Sequence, residues 1–440
     1  MNFKTQKFLV AGVSRSGVAA AEFLLRRGAE VYLFDDVKGV PEQNMERLKE
    51  LGAKVVDEAV DFCDVLVLSP GIPIDHPIPV SYKRQGKRIL GECELAARIL
   101  RAPAVAVTGT NGKTTTVSLL GEIAKCASVN ASVCGNIGTP FLTEAEKLSY
   151  DDLAIVEISS FQLETLRTFM PHIAVITNVT EDHLDRHYTM ENYTFLKEKL
   201  LKNSTESEFA VLNYDDPIVR SFAERTKAKV VWFSLNEEVD GAFLSDRVLK
   251  FRDEEILSVD ELCLSGRHNI LNALASIACA KILQLPTEAI RKGLTSFKGV
   301  KHRNEFVREV EGVKYVNDSK GTNVDATIKA IENCVGETVL LLGGKDKGYD
   351  YDKLFSYIKG SGVVHCVLYG ENKMKLVKSA VKADFSEVTV CKDMELAFSL
   401  AVKIARKGQT VLFSPASASF DEFSGYEERG DKFVALVESL

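Results

Sequence analysis

The chain of 440 residues lacks the features that mark membrane and secreted proteins. No apolar run approaches the roughly 18 residues that a membrane-spanning helix requires. The apolar run that follows Lys4 and Lys7 stops at Ala11, which is too short for a signal peptide. The nine cysteines are scattered and contain no C-x-x-C pair, which disfavours both a disulfide framework and a zinc cluster. We therefore expect a soluble cytoplasmic protein with free thiols.

Excess positive charge is also lacking. The 55 lysines and arginines are outnumbered by 62 acidic residues, and the formal net charge of -7 argues against a nucleic-acid partner. Short repeats and low-complexity tracts are absent as well. A composition of 45% hydrophobic and 27% charged residues is ordinary for a globular protein. At about 150 residues for each domain, the length predicts about three domains.

What the sequence does contain is a phosphate-binding loop. An apolar run that ends at Val107 predicts a buried strand, the turn Gly109–Gly112 follows, and apolar residues from Val117 onwards recur at helical spacing. Backbone N–H groups of such a turn point at a polyphosphate, Lys113 adds a full positive charge, and Thr114 offers a hydroxyl to Mg²⁺. The general G-x-x-x-x-G-K-[ST] pattern has glycine where Val107 stands, so that this loop is a shorter variant. An ordinary strand–turn–helix corner is the alternative interpretation.

Strands alternate with helical patterns along the whole chain, which predicts an α/β fold with parallel sheets in three segments. We place the segment boundaries near residues 91 and 297. Strands are predicted at Phe8–Ala11, Val31–Phe34, Val65–Leu68, Leu153–Val156, Ile173–Thr177, Ala210–Leu212, Val313–Val316, Val339–Leu342, Val364–Tyr369 and Thr410–Phe413, and a helix at Asn269–Leu283.

The first strand leads into a glycine-containing turn, Gly12–Gly17, that resembles a dinucleotide fingerprint with serine in place of the middle glycine. In a dinucleotide site, Asp35 would contact a ribose hydroxyl, and another nucleotide-like group could occupy the same crevice. The alternative is a tight strand–helix turn in which Asp35 acts as a cap.

Glu157 and His183 of the second segment are candidates for a metal–phosphate centre, whereas His187 and Lys197 have other interpretations. Glu157 follows an apolar strand, where a carboxylate commonly completes a Mg²⁺ site beside a phosphate loop. His183 and His187 are four residues apart and would share a face of a helix, but zinc would need a third ligand that is not evident. We interpret His183 as part of the Mg²⁺ centre and His187 as structural. Lys197 looks, from composition alone, like a surface lysine on a helix.

Polar clusters occur later in the chain at a helix start and after predicted strands. Asn269 and Asn272 lie three residues apart on one helix face, where amides suit the edge of a base, although a helix cap is the alternative. Segments 317–323, 343–348 and 414–421 each follow a strand of the third segment. Because the carboxyl ends of parallel strands share one edge of a sheet, these three loops predict one cleft.

Together these motifs resemble the Mur ligase family, the ATP-dependent amide ligases of peptidoglycan precursor synthesis. The motifs T-G-T-N-G-K-T-T, E-x-S-S-F-Q, N-x-x-x-D-H-L-D-R-H, G-R-H-N-x-x-N-A-L-A and N-D-S-K-G-T-N occur in that order over nearly the whole chain. The motifs S-P-G-I at 69–72, G-E-C-E-L at 91–95, G-N-I-G at 135–138 and S-P-A-S-A-S-F-D-E-F at 414–423 resemble the member of the family that adds D-glutamate. The D-N-P-R motif of the diaminopimelate-adding member is absent.

The resemblance implies three domains: a Rossmann-like domain at 1–91 for a UDP-linked substrate, a P-loop ATPase-like domain at 92–297, and a Rossmann-like domain at 298–440 for the amino acid. It implies ATP-dependent addition of D-glutamate to UDP-N-acetylmuramoyl-L-alanine through an acyl phosphate, with two Mg²⁺ ions and a carbamylated lysine. We expect a monomer that acts on these small molecules, with no membrane partner. A related ligase with a different amino acid and a nicotinamide-dependent oxidoreductase are the alternatives.

The resemblance also implies the site residues, group by group. The UDP substrate would be bound by Ser14, Arg15, Ser16, Gly17, Asp35, Gly71, Asn136 and His183. ATP would be bound by Gly109, Thr110, Asn111, Gly112, Lys113, Thr114, Thr115, Asn269, Arg303 and Asp318. D-glutamate would be bound by Thr322, Lys347, Ser419 and Phe420. One Mg²⁺ would be held by Thr114 and Glu157 and the second by His183 and carbamylated Lys197, while Lys113, His183 and Lys197 would take part in catalysis.

Overall fold

Three β-sheets with helices around them build the structure, a computed structural model that describes residues 3–35, 42–58, 60–264, 266–346 and 348–440. The side chains of residues 42, 43 and 185 also lie outside the description. The chain divides into two compact units, Met1–Phe297 and Lys298–Leu440. The first unit contains two of the sheets and the second unit contains the third. The α/β class predicted from the sequence is therefore confirmed.

The first sheet has five parallel strands in the order β3-β2-β1-β4-β5. Its strands are β1 (Lys7–Ala11), β2 (Glu30–Phe34), β3 (Lys54–Val55), β4 (Val65–Leu68) and β5 (Arg88–Leu90). Its helices are α1 (Arg15–Arg26), α2 (Glu42–Glu50), α3 (Pro77–Arg84) and α4 (Glu92–Ala97). The strand order reverses between β1 and β4, and the loops after these two strands border the crevice in which such sheets bind ligands.

The second sheet has nine strands in the order β14-β13-β12-β11-β10-β9-β6-β8-β7, of which β13 and β14 run antiparallel to their neighbours. Its strands are β6 (Ala104–Thr108), β7 (Ala131–Gly135), β8 (Leu153–Glu157), β9 (Ile173–Ile176), β10 (Phe209–Asn213), β11 (Lys229–Ser234), β12 (Gly241–Ser245), β13 (Val248–Phe251) and β14 (Glu254–Ser258). Its helices are α5 (Lys113–Cys126), α6 (Phe141–Ala145), α7 (Ser160–Thr165), α8 (Leu184–His187), α9 (Met190–Glu198), α10 (Pro217–Ser221), α11 (Arg267–Ile282) and α12 (Thr287–Ser296).

One hydrophobic cluster connects the first two sheets. Phe8 and Leu24 of the first sheet and its helix α1 belong to the same buried cluster as Phe141 and Ile158 of the second. Burial of apolar surface is the main favourable contribution to folding. The first two sheets therefore stabilise each other through a shared core.

The third sheet has six strands in the order β15-β16-β20-β17-β18-β19, and only β15 is antiparallel to its neighbour. Its strands are β15 (Glu305–Val310), β16 (Val313–Asn317), β17 (Thr338–Gly343), β18 (Val363–Tyr369), β19 (Val388–Val390) and β20 (Thr410–Phe413). Its helices are α13 (Val324–Glu332), α14 (Asp352–Lys359), α15 (Lys373–Lys382), α16 (Met394–Ile404) and α17 (Tyr426–Glu438). Two separate clusters of buried apolar side chains belong to this unit.

The strands predicted from apolar runs are confirmed, with ends that move by at most one residue. Glu157 is the last residue of β8, rather than the residue after it. The cysteines are all free thiols, as expected. In the part of the chain that the structure describes, every helix falls short of the length and apolar character needed to cross a bilayer.

Candidate active site

The phosphate loop connects β6 to α5 through two glycines that no other residue could replace without strain. Gly109 and Gly112 have φ angles of +144° and +85°. A Cβ atom on Gly109 would lie 1.9 Å from the Thr177 hydroxyl oxygen, and one on Gly112 would lie 2.3 Å from Asn272 Oδ1. The loop is therefore packed tightly against neighbouring polar side chains, and glycine is required at both positions.

Residues that follow β9 hold this loop in place. The carbonyl of Asn111 accepts hydrogen bonds from Thr177 Oγ1 at 2.6 Å and from Asn178 Nδ2 at 3.1 Å. The backbone N–H of Asn111 donates to Asn178 Oδ1 at 2.8 Å, and Thr110 Oγ1 accepts from the N–H of Thr180 at 3.0 Å. This role of Thr177 and Asn178 was not predicted, although polar residues directly after an apolar strand are a signal for it.

Lys113 lies over the loop at the start of α5. Its ammonium donates hydrogen bonds to the carbonyl oxygens of Gly109 and Thr110, both at 2.8 Å. Thr114 is buried beside it, and Thr115 is half-buried in the same turn. A positive charge thus sits where a bound polyphosphate would carry its negative charge.

Glu157 places a buried carboxylate next to the phosphate loop, because β8 and β6 are neighbouring parallel strands. Its Oε1 accepts a hydrogen bond from Asn136 Nδ2 at 2.7 Å. Its Oε2 is buried and accepts no hydrogen bond from any residue that the structure describes. Leaving a buried carboxylate oxygen without a partner is costly, so this atom fits a cation as its partner. Hard carboxylate and hydroxyl oxygens suit Mg²⁺.

Lys197 is buried, with 1% of its surface exposed. The expectation of a surface lysine, which composition alone favours, is therefore wrong. From α9 its Nζ donates to the Gly109 carbonyl at 2.8 Å and to Thr108 Oγ1 at 3.3 Å. Burial, with a smaller contribution from the positive charge of Lys113, lowers the pKa of Lys197 well below its ordinary value. The site therefore disfavours the charged ammonium form.

The two histidines do not share a helix face, so that expectation is wrong. The helix α8 begins at Leu184, and His183 precedes it in a left-handed conformation with φ of +54°. His187 is buried, and its Nε2 lies 3.0 Å from Ser160 Oγ. His183 has a more exposed side chain, and its ring centroid lies 4.8 Å from that of Phe161. Among the described residues, no group of three or more His, Cys, Asp or Glu side chains is placed to hold a metal ion.

Asn269 and Asn272 lie in the first turns of α11, beside the phosphate loop. Asn272 Nδ2 donates to Asn269 Oδ1 at 3.5 Å, and Asn272 Oδ1 accepts from Thr116 Oγ1 of α5 at 3.4 Å. The structure therefore brings Asn269 to the start of α5, and Asn272 supports the loop.

The turn after β1 carries the predicted UDP-substrate residues. Asp35 Oδ2 accepts a hydrogen bond from the backbone N–H of Val13 at 2.5 Å, so that Asp35 caps the turn. A Cβ atom on Gly17 would lie 1.9 Å from the Gly12 carbonyl oxygen. Helix α1 and the turn thus approach closely, which requires glycine at position 17.

The loop after β4 lies against this turn. Ser14 Oγ and Ser69 Oγ are 3.3 Å apart, and Gly71 follows two residues later. Ser14 and Arg15 are exposed and Ser16 is half-buried. Six of the eight residues predicted to bind the UDP substrate therefore lie around the crevice between β1 and β4, where the strand order reverses. The other two, Asn136 and His183, lie beside Glu157 and Phe161.

In the second unit, Asp318 lies at the end of β16 and is buried. Its Oδ1 accepts from the N–H of Asn304 at 3.1 Å, and its Oδ2 accepts from Ser414 Oγ at 2.7 Å. Burial raises the pKa of Asp318 to about 6, an effect that the nearby charges of Arg303 and Lys320 oppose. Arg303 and Asp318, both predicted to contact ATP, are therefore close together.

The three loops after β16, β17 and β20 are joined by backbone hydrogen bonds. The N–H of Ala416 donates to the Gly321 carbonyl at 2.8 Å, and the N–H of Lys345 donates to the Ala418 carbonyl at 2.9 Å. On these loops Thr322 is half-buried. Ser419 is buried and Phe420 is 65% exposed. Lys347, the fourth residue predicted to bind D-glutamate, lies outside the described residues.

A buried arginine that sequence reasoning missed also joins these loops. Arg429 of α17 donates to the carbonyl of Ser319 at 2.8 Å and to that of Ala418 at 3.0 Å. Nothing in the sequence around Arg429 indicates this contact, because its partners are distant along the chain.

The phosphate loop with Lys113 and Glu157 beside it defines a class of proteins that bind a nucleoside triphosphate at such a loop. In this class, lysine and Mg²⁺ neutralise the negative charge of the triphosphate. Within that class, the chain belongs to the Mur ligase family. Residues 107–280 match the family model described as Mur ligase middle domain, and residues 302–417 match the model described as Mur ligase, glutamate ligase domain. The resemblance inferred from the motifs is confirmed, and ATP and Mg²⁺ are the small molecules that membership implies.

Relatives of high identity span the full chain. The UDP-N-acetylmuramoylalanine--D-glutamate ligase of Pelotomaculum thermopropionicum is 42% identical over 452 residues, which cover 100% of this chain and 99% of that protein. The protein of the same name from Clostridioides difficile is 40% identical, and the match covers 100% of this chain and 100% of that protein.

Solved structures of lower identity share the fold. MurF of Acinetobacter baumannii has a TM-score of 0.60 at 16% identity, with 98% of this chain and 93% of that chain covered. The UDP-N-acetylmuramate-alanine ligase of Thermotoga maritima has a TM-score of 0.58 at 18% identity, with 99% of each chain covered. At these identities the likeness shows the fold alone.

Proposed function

We propose that this chain joins D-glutamate to UDP-N-acetylmuramoyl-L-alanine with ATP as the energy source, in the cytoplasm. The observation that carries the proposal is the phosphate loop with Lys113, Glu157 and the buried Lys197 around it, where Oε2 of Glu157 has no hydrogen-bond partner among the described residues. The full-length relatives that bear the name of this reaction support the choice of substrates.

The reaction takes place in two steps. The carboxylate of the acceptor attacks the γ-phosphorus of ATP, a P–O bond forms as the bond to ADP breaks, and an acyl phosphate results. The amine of D-glutamate then attacks the acyl carbon, inorganic phosphate leaves, and the nitrogen loses a proton. Negative charge develops on the transferring oxygens, so the main task of the protein is positioning and cationic stabilisation.

Different residues of the first unit bind the phosphates, neutralise their charge and hold Mg²⁺. Lys113 neutralises charge on the phosphates, while the N–H groups of the turn Gly109–Gly112 bind their oxygens. Thr114 and Glu157 would hold one Mg²⁺, and His183 with a modified Lys197 would hold a second. Bound Mg²⁺ supplies charge neutralisation and orients the phosphate oxygens.

We further propose that Lys197 is carbamylated. The neutral amine attacks the carbon of CO₂ and loses a proton, which leaves an anionic carbamate with two hard oxygens. Burial beside Lys113 favours the neutral amine that this reaction needs. A carbamate oxygen is a suitable ligand for Mg²⁺, whereas an ammonium is not.

Labelled bicarbonate tests the carbamate directly. We expect a carbamate carbon signal in the NMR spectrum of the wild type and its loss in Lys197→Ala. Lys199→Ala is the matched control, because Lys199 is a part-buried lysine in the next turn that donates to the carbonyls of Leu163 and Glu164 instead. Lys197→Ala should lose activity, and a short-chain carboxylate should restore part of it. A signal that survives in Lys197→Ala would contradict the assignment.

A phosphate-release assay tests the proposed reaction. ATP, Mg²⁺ and UDP-N-acetylmuramoyl-L-alanine are supplied, and the amino acid is varied among D-glutamate, L-glutamate and diaminopimelate. We expect release with D-glutamate alone. Faster release with another amino acid would indicate the alternative ligase, and no release with any of them would overturn the proposal.

The domain division is part of the same proposal. We assign residues 1–91 to the UDP substrate, 92–297 to ATP and 298–440 to D-glutamate, with Thr322, Lys347, Ser419 and Phe420 as the glutamate ligands. We also propose that the enzyme is a monomer. Size-exclusion chromatography with light scattering tests this last point, and a mass of twice the 48.5 kDa chain would contradict it.

A further inference from the structure

Arg186 contacts two parts of the first unit that belong to different sheets. It lies in the short helix α8, and its side chain is 11% exposed. Its guanidinium donates to Glu164 of α7 through Nε at 3.0 Å and through Nη2 at 2.6 Å. The guanidinium carbon also lies 4.9 Å from the ring centroid of Phe161. The charge is therefore paired and held in one orientation by helix α7.

The same guanidinium donates to three consecutive carbonyls of the loop after β4. Nη2 donates to Pro70 at 3.3 Å and to Ile72 at 3.0 Å, and Nη1 donates to Gly71 at 3.3 Å. This loop also packs against the turn after β1, since a Cβ atom on Gly12 would lie 3.3 Å from Ile72 Cδ1. Arg186 thus fixes the backbone that borders the proposed UDP-substrate crevice.

The other contacts of Arg186 lead to the metal–phosphate centre. Helix α7, which carries Glu164, begins at Ser160, three residues after Glu157. Helix α8, which carries Arg186, begins directly after His183. One side chain therefore connects the loop at the acceptor crevice to two of the segments that present proposed Mg²⁺ ligands, those of Glu157 and His183.

We propose that Arg186 is a positioning residue that aligns the acceptor-binding loop Ser69–Ile72 with the metal–phosphate centre. The inference rests on the proposed function, since it takes the acceptor to bind at Gly71. Reacting groups held in the wrong position by about 1 Å lose rate by up to about 100-fold, so a fixed connection between the two sites has a direct catalytic value. Lysine cannot replace this residue, because one ammonium cannot donate to Glu164 and to three carbonyls in a fixed plane.

Steady-state kinetics of Arg186→Lys and Arg186→Met test the inference. We expect kcat to fall and the KM for UDP-N-acetylmuramoyl-L-alanine to rise, each at least ~10-fold in both variants, while the KM for ATP changes less than ~2-fold. Arg26→Met is the matched control, because Arg26 is half-exposed and also joins the first two sheets, through its ion pair with Glu146. We expect wild-type KM values for the control.

A purely structural role predicts a different pattern. In that case Arg186→Met lowers the thermal stability but leaves kcat and the ratio of the two KM values unchanged, which would overturn the inference. Should Arg186→Met fail to fold, Glu164→Gln weakens the same guanidinium contact and should raise the acceptor KM by a smaller factor. An inactive wild type in this assay would instead overturn the proposed function, so the two failures are distinguishable.

Discussion

At the scale of single residues, two lysines share one acceptor. The Nζ atoms of Lys113 and Lys197 both donate to the Gly109 carbonyl at 2.8 Å. Two positive charges around one oxygen repel each other, and the repulsion contributes to the lowered pKa of Lys197. A bound polyphosphate, or a carbamate on Lys197, would relieve this repulsion. The loop without ligand therefore already has lysine side chains placed to attract an anionic ligand.

The first prediction concerns Lys113. Lys113→Ala should lower kcat by at least ~100-fold, which is the scale for loss of one preorganised group that stabilises developing charge. Circular dichroism should show an unchanged fold. Lys125→Ala is the control, because Lys125 lies in the last turn of the same helix with a 78% exposed side chain. Near-normal turnover of a folded Lys113→Ala variant would contradict the role of the loop.

The second prediction concerns Glu157. Glu157→Gln keeps the shape and the hydrogen bond from Asn136 but replaces the unpaired carboxylate oxygen with a neutral group. The Mg²⁺ concentration for half-maximal activity should rise at least ~10-fold, because Mg²⁺ favours charged oxygen ligands. The control, Glu122→Gln on the outer part of α5, should leave this concentration unchanged. Equal Mg²⁺ dependence in the wild type and in Glu157→Gln would remove Glu157 from the metal site.

At the scale of elements, the strands made of continuous apolar runs were predictable and several others were not. Strands such as Val65–Leu68 are short apolar runs between polar residues, which is a local signal. By contrast, both residues of β3 are exposed, so no apolar pattern marks it. The hairpin of β12 and β13 turns at Asp246 and Arg247, which both have positive φ. Such turns are usually recognised by Asn-Gly or Asp-Gly, and this one carries no such signal.

In the candidate site too, some residues could be predicted from local sequence patterns and others could not. The phosphate loop is a contiguous segment, so its glycines, Lys113 and Thr114 could be predicted from spacing alone. The burial of Lys197 depends on its contact with Gly109, which is 88 residues away. The contact between Arg186 and Gly71 spans 115 residues. Contacts of this range depend on tertiary packing, which local sequence patterns do not contain.

The third prediction concerns Glu92, the first residue of α4. Its carboxyl is buried and accepts hydrogen bonds from the N–H of Leu142 in α6 and from Cys93 Sγ. Burial raises the pKa of Glu92 from 4.5 to about 7. Between about pH 4.5 and about pH 7, the folded state therefore keeps the Glu92 proton that the unfolded state loses. The contribution of Glu92 to the free energy of unfolding falls as the pH rises through this range.

Glu92→Gln should remove this dependence, because the amide is neutral at every pH. At pH near 8, the variant should be more stable than the wild type by on the order of 2 kcal/mol, and the difference should disappear near pH 4. Urea unfolding at both pH values measures it. The exposed Glu50 at the end of α2 provides the control Glu50→Gln, for which we expect no difference. A variant that is less stable at the higher pH would contradict the prediction.

The fourth prediction concerns the joined loops after β16 and β20. Thr322→Val and Ser419→Ala remove hydroxyls from the proposed glutamate site and should raise the KM for D-glutamate by ~10-fold, a typical cost of losing one hydrogen bond to a charged group. The KM for the UDP acceptor should stay within ~2-fold. Ser361→Ala is a control near the amino end of β18. Equal increases in both KM values would argue against a glutamate site at these loops.

At the scale of the whole molecule, the cores and the proposed domains divide the chain differently. Each of the three proposed domains is assigned one principal ligand, although Arg303 and Asp318 of the third are proposed to contact ATP. The shared hydrophobic cores, in contrast, define two units. The first two sheets share one large cluster, and the first sheet also has a smaller cluster of its own. The clusters of the third sheet contain only residues from the second unit. Cooperative unfolding follows shared cores, so residues 1–297 should behave as one unit and residues 298–440 as another.

The fifth prediction follows from this division. Separate chains of residues 1–297 and 298–440 should each fold and unfold cooperatively, because the cut after Phe297 leaves intact the clusters that the described residues form in each unit. A chain of residues 1–91 should not fold alone, since it would expose Phe8, Leu24 and their neighbours that pack against the second sheet. Circular dichroism and amide hydrogen exchange measure these outcomes. Neither separate unit should release phosphate from ATP in the presence of the acceptor and D-glutamate, because the proposed ATP and glutamate residues are divided between them. A cooperatively folded 1–91 chain would show that the shared cluster is not needed for the first sheet.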